Sequence, residues 1–229
     1  MTPSTVTPST VAEDYVKAIY AHTEWQHLPI TTSALAARLG LAASSVTEMV
    51  KKLSAQGLVT HVPYGAVTLT PLGTDLAVRM LRRHRLIETW LVSQYGYGWD
   101  EVHDEAEVLE HTLSDRLLNA IDDQLGHPTR DPHGDPIPSR TGEIVQPAAI
   151  LLRDAGQGTS APVVRISDSD PTLLRHLEAE SITVDTRLSV VGRTPFGGSF
   201  VVSVLRDDNE TVDVDLGEQA ITSIWVGAL

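Results

Sequence analysis

Residues 43–53 read Ala43-Ser44-Ser45-Val46-Thr47-Glu48-Met49-Val50-Lys51-Lys52-Leu53. Val46, Met49, Val50 and Leu53 fall at i, i+3, i+4 and i+7, the spacing that gathers four apolar side chains on one face of a helix. Ser44, Ser45, Thr47, Glu48, Lys51 and Lys52 are left on the outer face. Upstream, Thr31 or Thr32 can cap a shorter helix through Ala34, Leu35, Ala36, Arg38 and Leu39, and Gly40 stops it. Two short helices joined by a glycine-containing turn make a helix-turn-helix. Downstream, Gly57 ends the second helix, and Leu58 to Val62 is predicted as a strand. Pro63-Tyr64-Gly65-Ala66 is predicted as a turn and Val67 to Leu69 as the returning strand. The hairpin turns the pair of helices into a winged helix.

Working outward, Met1 to Thr10 is predicted as a disordered arm, followed by a helix through Val11, Tyr15, Ala18 and Ile19 to about His22 that carries Asp14. On the other side, Thr70-Pro71 places a capping hydroxyl ahead of a proline and starts a long helix through Leu76, Met80, Leu81 and Leu86. That helix carries Arg79, Arg82, Arg83 and Arg85 and, one turn apart on a shared face, His84 and Glu88. Tyr95-Gly96-Tyr97-Gly98 breaks it, and Asp100 can cap the next.

The next helix holds Val102-His103-Asp104-Glu105-Ala106-Glu107-Val108-Leu109-Glu110-His111. His103, Glu107 and His111 are four residues apart and Glu110 lies beside the last turn, so two imidazoles and two carboxylates share a face. Neighbouring carboxylates repel and raise each other's proton affinity, whereas a divalent cation turns that repulsion into binding energy. Val102, Ala106, Leu109 and Leu113 give the helix a second face for packing, and Ser114 starts a further helix through Leu117, Leu118 and Ile121. His127-Pro128 to Pro138 is dense in Pro, Gly and Asp, the composition of an extended connection or a linker, in which His127 and His133 are expected as turn residues. Beyond it the texture changes to short β runs: Ile150 to Leu152, Val163 to Ile166, Leu188 to Val191, Phe200 to Leu205, Thr211 to Val214 and Ile221 to Val226. One helix, Thr172 to Glu180, interrupts them, which predicts a small barrel.

Composition bounds the chemistry. The 229 residues contain no cysteine, which excludes a disulfide framework, thiolate zinc sites and cysteine nucleophiles. No apolar run approaches the roughly 20 residues of a membrane span, and the Thr/Ser/Pro-rich start lacks the basic and apolar regions of a signal peptide, so a soluble, cytoplasmic protein is expected. A net charge of −13 looks wrong for a nucleic-acid binder until it is divided: residues 1–88 carry 8 Lys/Arg against 6 Asp/Glu, and residues 89–229 carry 9 against 24. The acidity belongs to the second part, and the first is free to present a basic face.

The combination resembles the metal-dependent transcriptional repressors of the diphtheria toxin repressor family, and within it the manganese transport regulator branch. Winged helix, Arg83-His84-Arg85-Leu86-Ile87-Glu88, the 103–111 stripe, the run from Asp131 to Pro138 and a C-terminal barrel extend the likeness over nearly the whole chain. The resemblance implies a mainly α fold with a small β domain: a winged helix-turn-helix over 1–77, a helical dimerisation and metal-binding domain over 78–145 and an SH3-like barrel over 146–229. It implies one metal site of Asp14, Glu107, Glu110 and His111, and a second of His84, Glu88 and His103 completed from the barrel, where Ser167 to Thr172 offers Asp168 or Asp170, with Asp170 carried over. The iron-responsive branch has Met and Cys where this chain has Asp14 and Glu107, and two carboxylates in place of two sulfurs favour Mn(II) over Fe(II). Co(II), Ni(II) or Zn(II) are expected to bind in vitro as well.

Lys17 stands where some manganese regulators have a Glu, which argues against a two-metal cluster there. Ser44, Thr47 and Glu48 are the expected base readers and Lys51 and Lys52 the expected phosphate contacts. The partners implied are a palindromic double-stranded DNA operator and a second copy of the chain, with no membrane and no organic substrate. An iron-dependent repressor of the same family is the nearest alternative, and a metalloenzyme a more distant one, because the chain shows no separate base or nucleophile motif.

Overall fold

A computed structural model describes residues 9–26, 28–62, 65–194, 199–206 and 210–228. The chain divides into two compact units, one of residues 1–84 with 138–143, the other of residues 85–137 with 144–229.

The first unit begins with α1 (Thr10–Gln26), in which Ala12, Tyr15, Val16 and Ile19 are buried at the spacing of one helical face. The helix starts within the stretch expected as an arm, because Ser9 supplies both its carbonyl and its hydroxyl to the amide of Ala12, and it outlasts His22 by a turn. The rest of that arm, residues 1–8, lies outside the described residues, as do Pro63 and Tyr64 of the expected turn. Thr31 caps α2 (Thr32–Leu39) by accepting the Ala34 amide, and Gly40, at φ 64°, turns the chain out of it. A cap of this kind contributes about 1 kcal/mol. In α3 (Ala43–Ala55), Val46, Val50 and Leu53 are fully buried and Met49 packs against the same core. The wing is β2 (Val59–His61) paired antiparallel with β3 (Ala66–Leu69), and β3 also pairs with the two-residue β1 (Ile30–Thr31). Two residues are too few to show alternation, so β1 left no pattern in the sequence. Thr70 begins α4 (Pro71–Tyr95) by accepting the Gly73 amide and donates its hydroxyl back to Gly57.

In the second unit, Leu86, Ile87 and Leu91 of α4 pack with Val102 and Ala106 of α5 (Val102–Leu109), Leu118 of α6 (Asp115–Gln124) and Ile137. Ser114 caps α6 as the sequence predicts. Asp100 does not cap α5: its carboxylate takes a hydrogen bond from Arg175 at 2.8 Å, and Glu101 holds the cap position. The β region is a single antiparallel sheet of β4 (Ala149–Leu151), β5 (Ser160–Ile166), β6 (Arg187–Arg193), β7 (Phe200–Leu205), β8 (Thr211–Leu216) and β9 (Ile224–Gly227), ordered β4-β9-β5-β6-β7-β8. Register shifts at Val163/Arg165 and Val190/Gly192 bend it as bulges do. α7 (Pro171–Ala179) closes it with Leu173, Leu174 and Leu177 turned into the core, and Ile221, expected in the last strand, ends the short α8 (Glu218–Ile221) instead.

Candidate metal centre

The second unit brings Glu88 and His103 together from helices separated in sequence by the Tyr95–Gly98 break. Burial of Leu86 and Ile87 sets the rotation of α4, and Glu88, the next residue, is 1% exposed. Burial of Val102 and Ala106 does the same for α5 and leaves His103 on the flank beside Glu88. His103 Nδ1 is 3.5 Å from Glu88 Oε1 and 3.2 Å from Asp168 Oδ2. The ring's other nitrogen, Nε2, is 3.5 Å from Glu107 Oε1, one turn along α5. A ring nitrogen and carboxylate oxygens from α4, α5 and the segment after β5 thus converge within one unit.

Electrostatics already favour a cation there. Burial opposes a charged ring at His103, but hydrogen bonds to Asp168 and Glu88 and the charges of both outweigh it and hold the pKa at about 11. Asp168 responds in kind: burial acts to raise its pKa, and His103, reinforced by His133 and Arg165, lowers it well below the usual carboxylate range. The imidazolium of His103 is the positive charge this arrangement of oxygens recruits from the chain itself. An oxygen-rich donor set with one imidazole and no sulfur fits a hard or borderline divalent ion.

Asp170 has other work. Its Oδ1 accepts the amides of Thr172 and Leu173 at the start of α7 and its Oδ2 accepts Gln219 Nε2 at 2.6 Å, so the barrel residue beside His103 is Asp168 and not Asp170. Both were legible as acids in Ser167 to Thr172, but Asp170-Pro171 is also a helix start, and that role claims it. Of the remaining expected ligands, Glu110 and His111 are neighbours at the end of α5, with 3.6 Å between His111 Nε2 and Glu110 Oε1. Asp14 on α1 and His84 on α4 belong to the first unit.

The stretch from His127-Pro128 to Pro138, expected as an extended connection or a linker, contains a buried polar turn at Asp131, His133 and Asp135. Asp131 Oδ1 accepts the amides of His133 and Asp135, and Asp135 Oδ1 accepts Arg165 Nε at 2.8 Å with Arg85 Nη2 at 3.5 Å. Arg85 also donates to the Pro136 carbonyl at 2.6 Å. Burial, then the charges of Asp135 and Glu88, raise the pKa of Asp131. The signal available was alternation of acid and imidazole, Asp131-x-His133-x-Asp135, within a stretch whose prolines suggested surface.

On α3, Ser44, Glu48, Lys51 and Lys52 are exposed and Thr47 is half-buried, its hydroxyl donating to the Ala43 carbonyl. Lys51 Nζ pairs with Glu48 Oε1 at 2.8 Å.

Three family models match the chain: the iron dependent repressor N-terminal DNA binding domain over residues 3–67, the iron dependent repressor metal binding and dimerisation domain over 70–139, and the FeoA domain over 150–226. The iron-dependent repressor IdeR of Mycobacterium tuberculosis is 30% identical over 202 residues, 83% of this chain and 87% of its own length. The diphtheria toxin repressor of Corynebacterium diphtheriae is 33% identical over 173 residues, 74% of this chain and 71% of its own. Among solved structures, a manganese-dependent transcriptional repressor in complex with manganese is 49% identical, with TM-score 0.90 over 95% of this chain and 100% of that one. ScaR with bound Cd2+ is 32% identical, with TM-score 0.81 over 97% and 100%.

Proposed function

The chain belongs to the diphtheria toxin repressor family of metal-dependent transcriptional repressors, and from that premise we propose that Mn(II) is the metal that activates it. As a member it is a DNA-binding repressor dependent on a divalent metal, and not an enzyme; repressors of this family dimerise through the metal-binding and dimerisation domain. No helix among the described residues is long and apolar enough to cross a membrane. We place its action in the cytoplasm, where its DNA would be.

The choice of manganese rests above all on donor chemistry. Asp14, Glu107, Glu110 and His111 are assigned the activating ion, and His84, Glu88 and His103, with Asp168 from the barrel, a second. Neither set contains a sulfur, because the chain has no cysteine and no methionine is among these residues. Carboxylate and imidazole ligands suit Mn(II), whereas soft ligands shift preference towards later metals. The solved repressor that is 49% identical to this chain is itself named for manganese.

When bound, the metal supplies positive charge that four otherwise competing side chains share. Asp14 lies on α1, beside the reading head, and Glu107, Glu110 and His111 lie on or at the end of α5. One ion shared by these four side chains would restrict the orientations of the head. In a dimer, two heads held with their α3 helices about one DNA turn apart, roughly 34 Å, match a palindromic operator. Ser44, Thr47 and Glu48 would then meet base edges while Lys51 and Lys52 meet phosphate. Metal and DNA become linked ligands, each raising affinity for the other. In domain terms we assign DNA reading to residues 1–77, dimerisation and metal uptake to 78–145, and the SH3-like barrel to 146–229.

The test is retention of genomic DNA fragments with chelator, with Mn(II) and with Fe(II), for the wild type and Asp14→Ala. Retention should appear only with metal, at lower free Mn(II) than Fe(II), and fall at least roughly tenfold in the variant, within the ~5–150-fold that such coupling spans. Stronger activation by Fe(II) would support the iron-dependent alternative that the mycobacterial relative suggests. Retention indifferent to chelator would sink metal gating altogether.

A further inference from the structure

The two carboxylate oxygens of Glu88 face different imidazoles. Oε1 is turned to His103, and Oε2 is 3.9 Å from His133 Nδ1. His133 is 1% exposed and its ring stacks on Trp99, with centroids 5.9 Å apart and planes at 23°. Its Nε2 is 2.6 Å from the Trp99 carbonyl oxygen, which can only accept, so that nitrogen carries hydrogen and is committed to the backbone. Only Nδ1 is left to face the carboxylate; at 3.9 Å it lies in ion-pair range and not hydrogen-bond range, and among the described residues it makes no hydrogen bond.

The main chain of the same residue is tied down as firmly. The His133 carbonyl accepts the Ile166 amide at 2.9 Å, and its own amide is held by Asp131 Oδ1. Gly134, at φ 93°, brings the turn so close to β5 that an added Cβ would lie 2.0 Å from the Val164 carbonyl oxygen. His133 therefore touches each segment that furnishes the site: Glu88 itself on α4, the backbone at Trp99 four residues before His103, and the backbone at Ile166 two residues before Asp168.

We propose that His133 is a positioning residue for the metal site of the second unit, backing the Glu88 carboxylate with its ring and tying the segments that bear His103 and Asp168 to one buried turn. The inference rests on the metal reading above. Partners that orient a ligating group commonly govern metal affinity by about 10–100-fold.

The experiment uses the full chain in an Asp14→Ala background, so that the other set contributes little, with Co(II) as probe. Three variants separate the roles. His133→Phe keeps a ring against Trp99 and removes both nitrogens; His133→Asn keeps a polar group near Nδ1, facing Glu88; His133→Gln keeps one near Nε2, facing Trp99. Co(II) affinity should fall about 10–100-fold in the Phe variant, with an altered visible d–d spectrum, and the Asn variant should recover most of both. The urea midpoints of the metal-free Asn and Phe variants should not follow that order. Wild-type affinity and spectrum in the Phe variant would overturn the proposal, as would an affinity loss that tracks the urea midpoints with no rescue by Asn. Loss of a whole Co(II) equivalent together with an imidazole spectroscopic signature would overturn it too, since His133 would then be a ligand. Failure of the parent chain to bind Co(II) at all would instead remove the metal reading from which the inference starts.

Discussion

On α3 the side chains proposed to meet DNA stand in water: Lys51 and Glu48 are each 66% exposed, and Ser44 and Lys52 are exposed with them. In the second unit Arg85, Glu88, Asp131, His133, Asp135 and Arg165 are all less than a tenth exposed. The same residue types therefore obey different physics in the two places. An exposed ion pair contributes about 0–1 kcal/mol and is screened by salt, whereas a buried charge deprived of its partner costs about 3–5 kcal/mol. A reading head gains from the first regime, because its charges must exchange water for phosphate at little cost. A metal centre gains from the second, because ligands fixed beforehand lose little entropy on binding.

The contrast breaks most readily at Asp135. Its Oδ1 serves both Arg165 and Arg85, so Asp135→Ala takes the carboxylate 2.8 Å from Arg165 out of the buried network and leaves Arg85 to rely on Asp131, 3.8 Å away. We expect the second unit to lose about 3–5 kcal/mol in urea unfolding followed by tryptophan fluorescence, Trp99 and Trp225 both belonging to that unit. A loss below about 1 kcal/mol would mean that the buried charges are no more interdependent than surface ones.

How much of this was legible follows the same division. Winged helix, stripe and barrel are written in periodicity, and Val46, Val50 and Leu53 are buried where a 3.6-residue repeat puts them. Glu110 and His111 are legible as neighbours and lie 3.6 Å apart, but α5 stops at Leu109, so the shared helical face expected for His103, Glu107 and His111 does not run to its end. Long-range pairings were not legible: nothing local tells Asp168 from Asp170, and only the fold shows that one reaches His103 while the other caps α7. His133 was hardest, because Pro, Gly and Asp around it describe an exposed turn equally well. Composition reports how a segment bends, and burial depends on what packs against it, here β5 through Gly134.

A mid-sized effect should sharpen the same contrast through protons. In the metal-free protein His103 is held at about pH 11 by Asp168 and Glu88 against the opposing effect of burial, so the ring is protonated near neutrality. Its folded-state pKa is raised, so its contribution to stability is complete below the unfolded value of about 6.5 and is lost as pH rises through about 11. A metal needs the neutral ring. Uptake at Glu88, His103 and Asp168 should therefore release about one proton per site, and apparent affinity should rise up to about tenfold per pH unit between pH 6.5 and 9. Calorimetry in buffers of different ionisation enthalpy measures the released proton directly. Asp168→Ala should weaken the metal at least roughly tenfold. Asp170→Ala should leave affinity unchanged and cost only the α7 cap. Equal metal losses in both would mean that the barrel contributes stability and no ligand.

The smallest effect belongs to the reading head, and its size is itself the point. Glu48 holds Lys51 on α3 at 2.8 Å, so a phosphate that recruits this lysine must first displace a carboxylate. Glu48→Gln keeps the side chain's shape and hydrogen-bonding capacity and removes the charge. Because the pair is exposed and screened by solvent, the release should strengthen non-operator DNA binding only a few-fold. The slope of log affinity against log salt should steepen by no more than about 0.9, the value for one added phosphate contact on duplex DNA. If Glu48 also accepts a hydrogen bond from a cytosine amino group, operator binding should weaken as non-operator binding strengthens, and the loss should be confined to one base position. Matched gains on both kinds of DNA would assign Glu48 purely to restraint of Lys51. An unchanged salt slope would show that Lys51 meets no phosphate, and would leave Lys52 and the wing to hold the backbone.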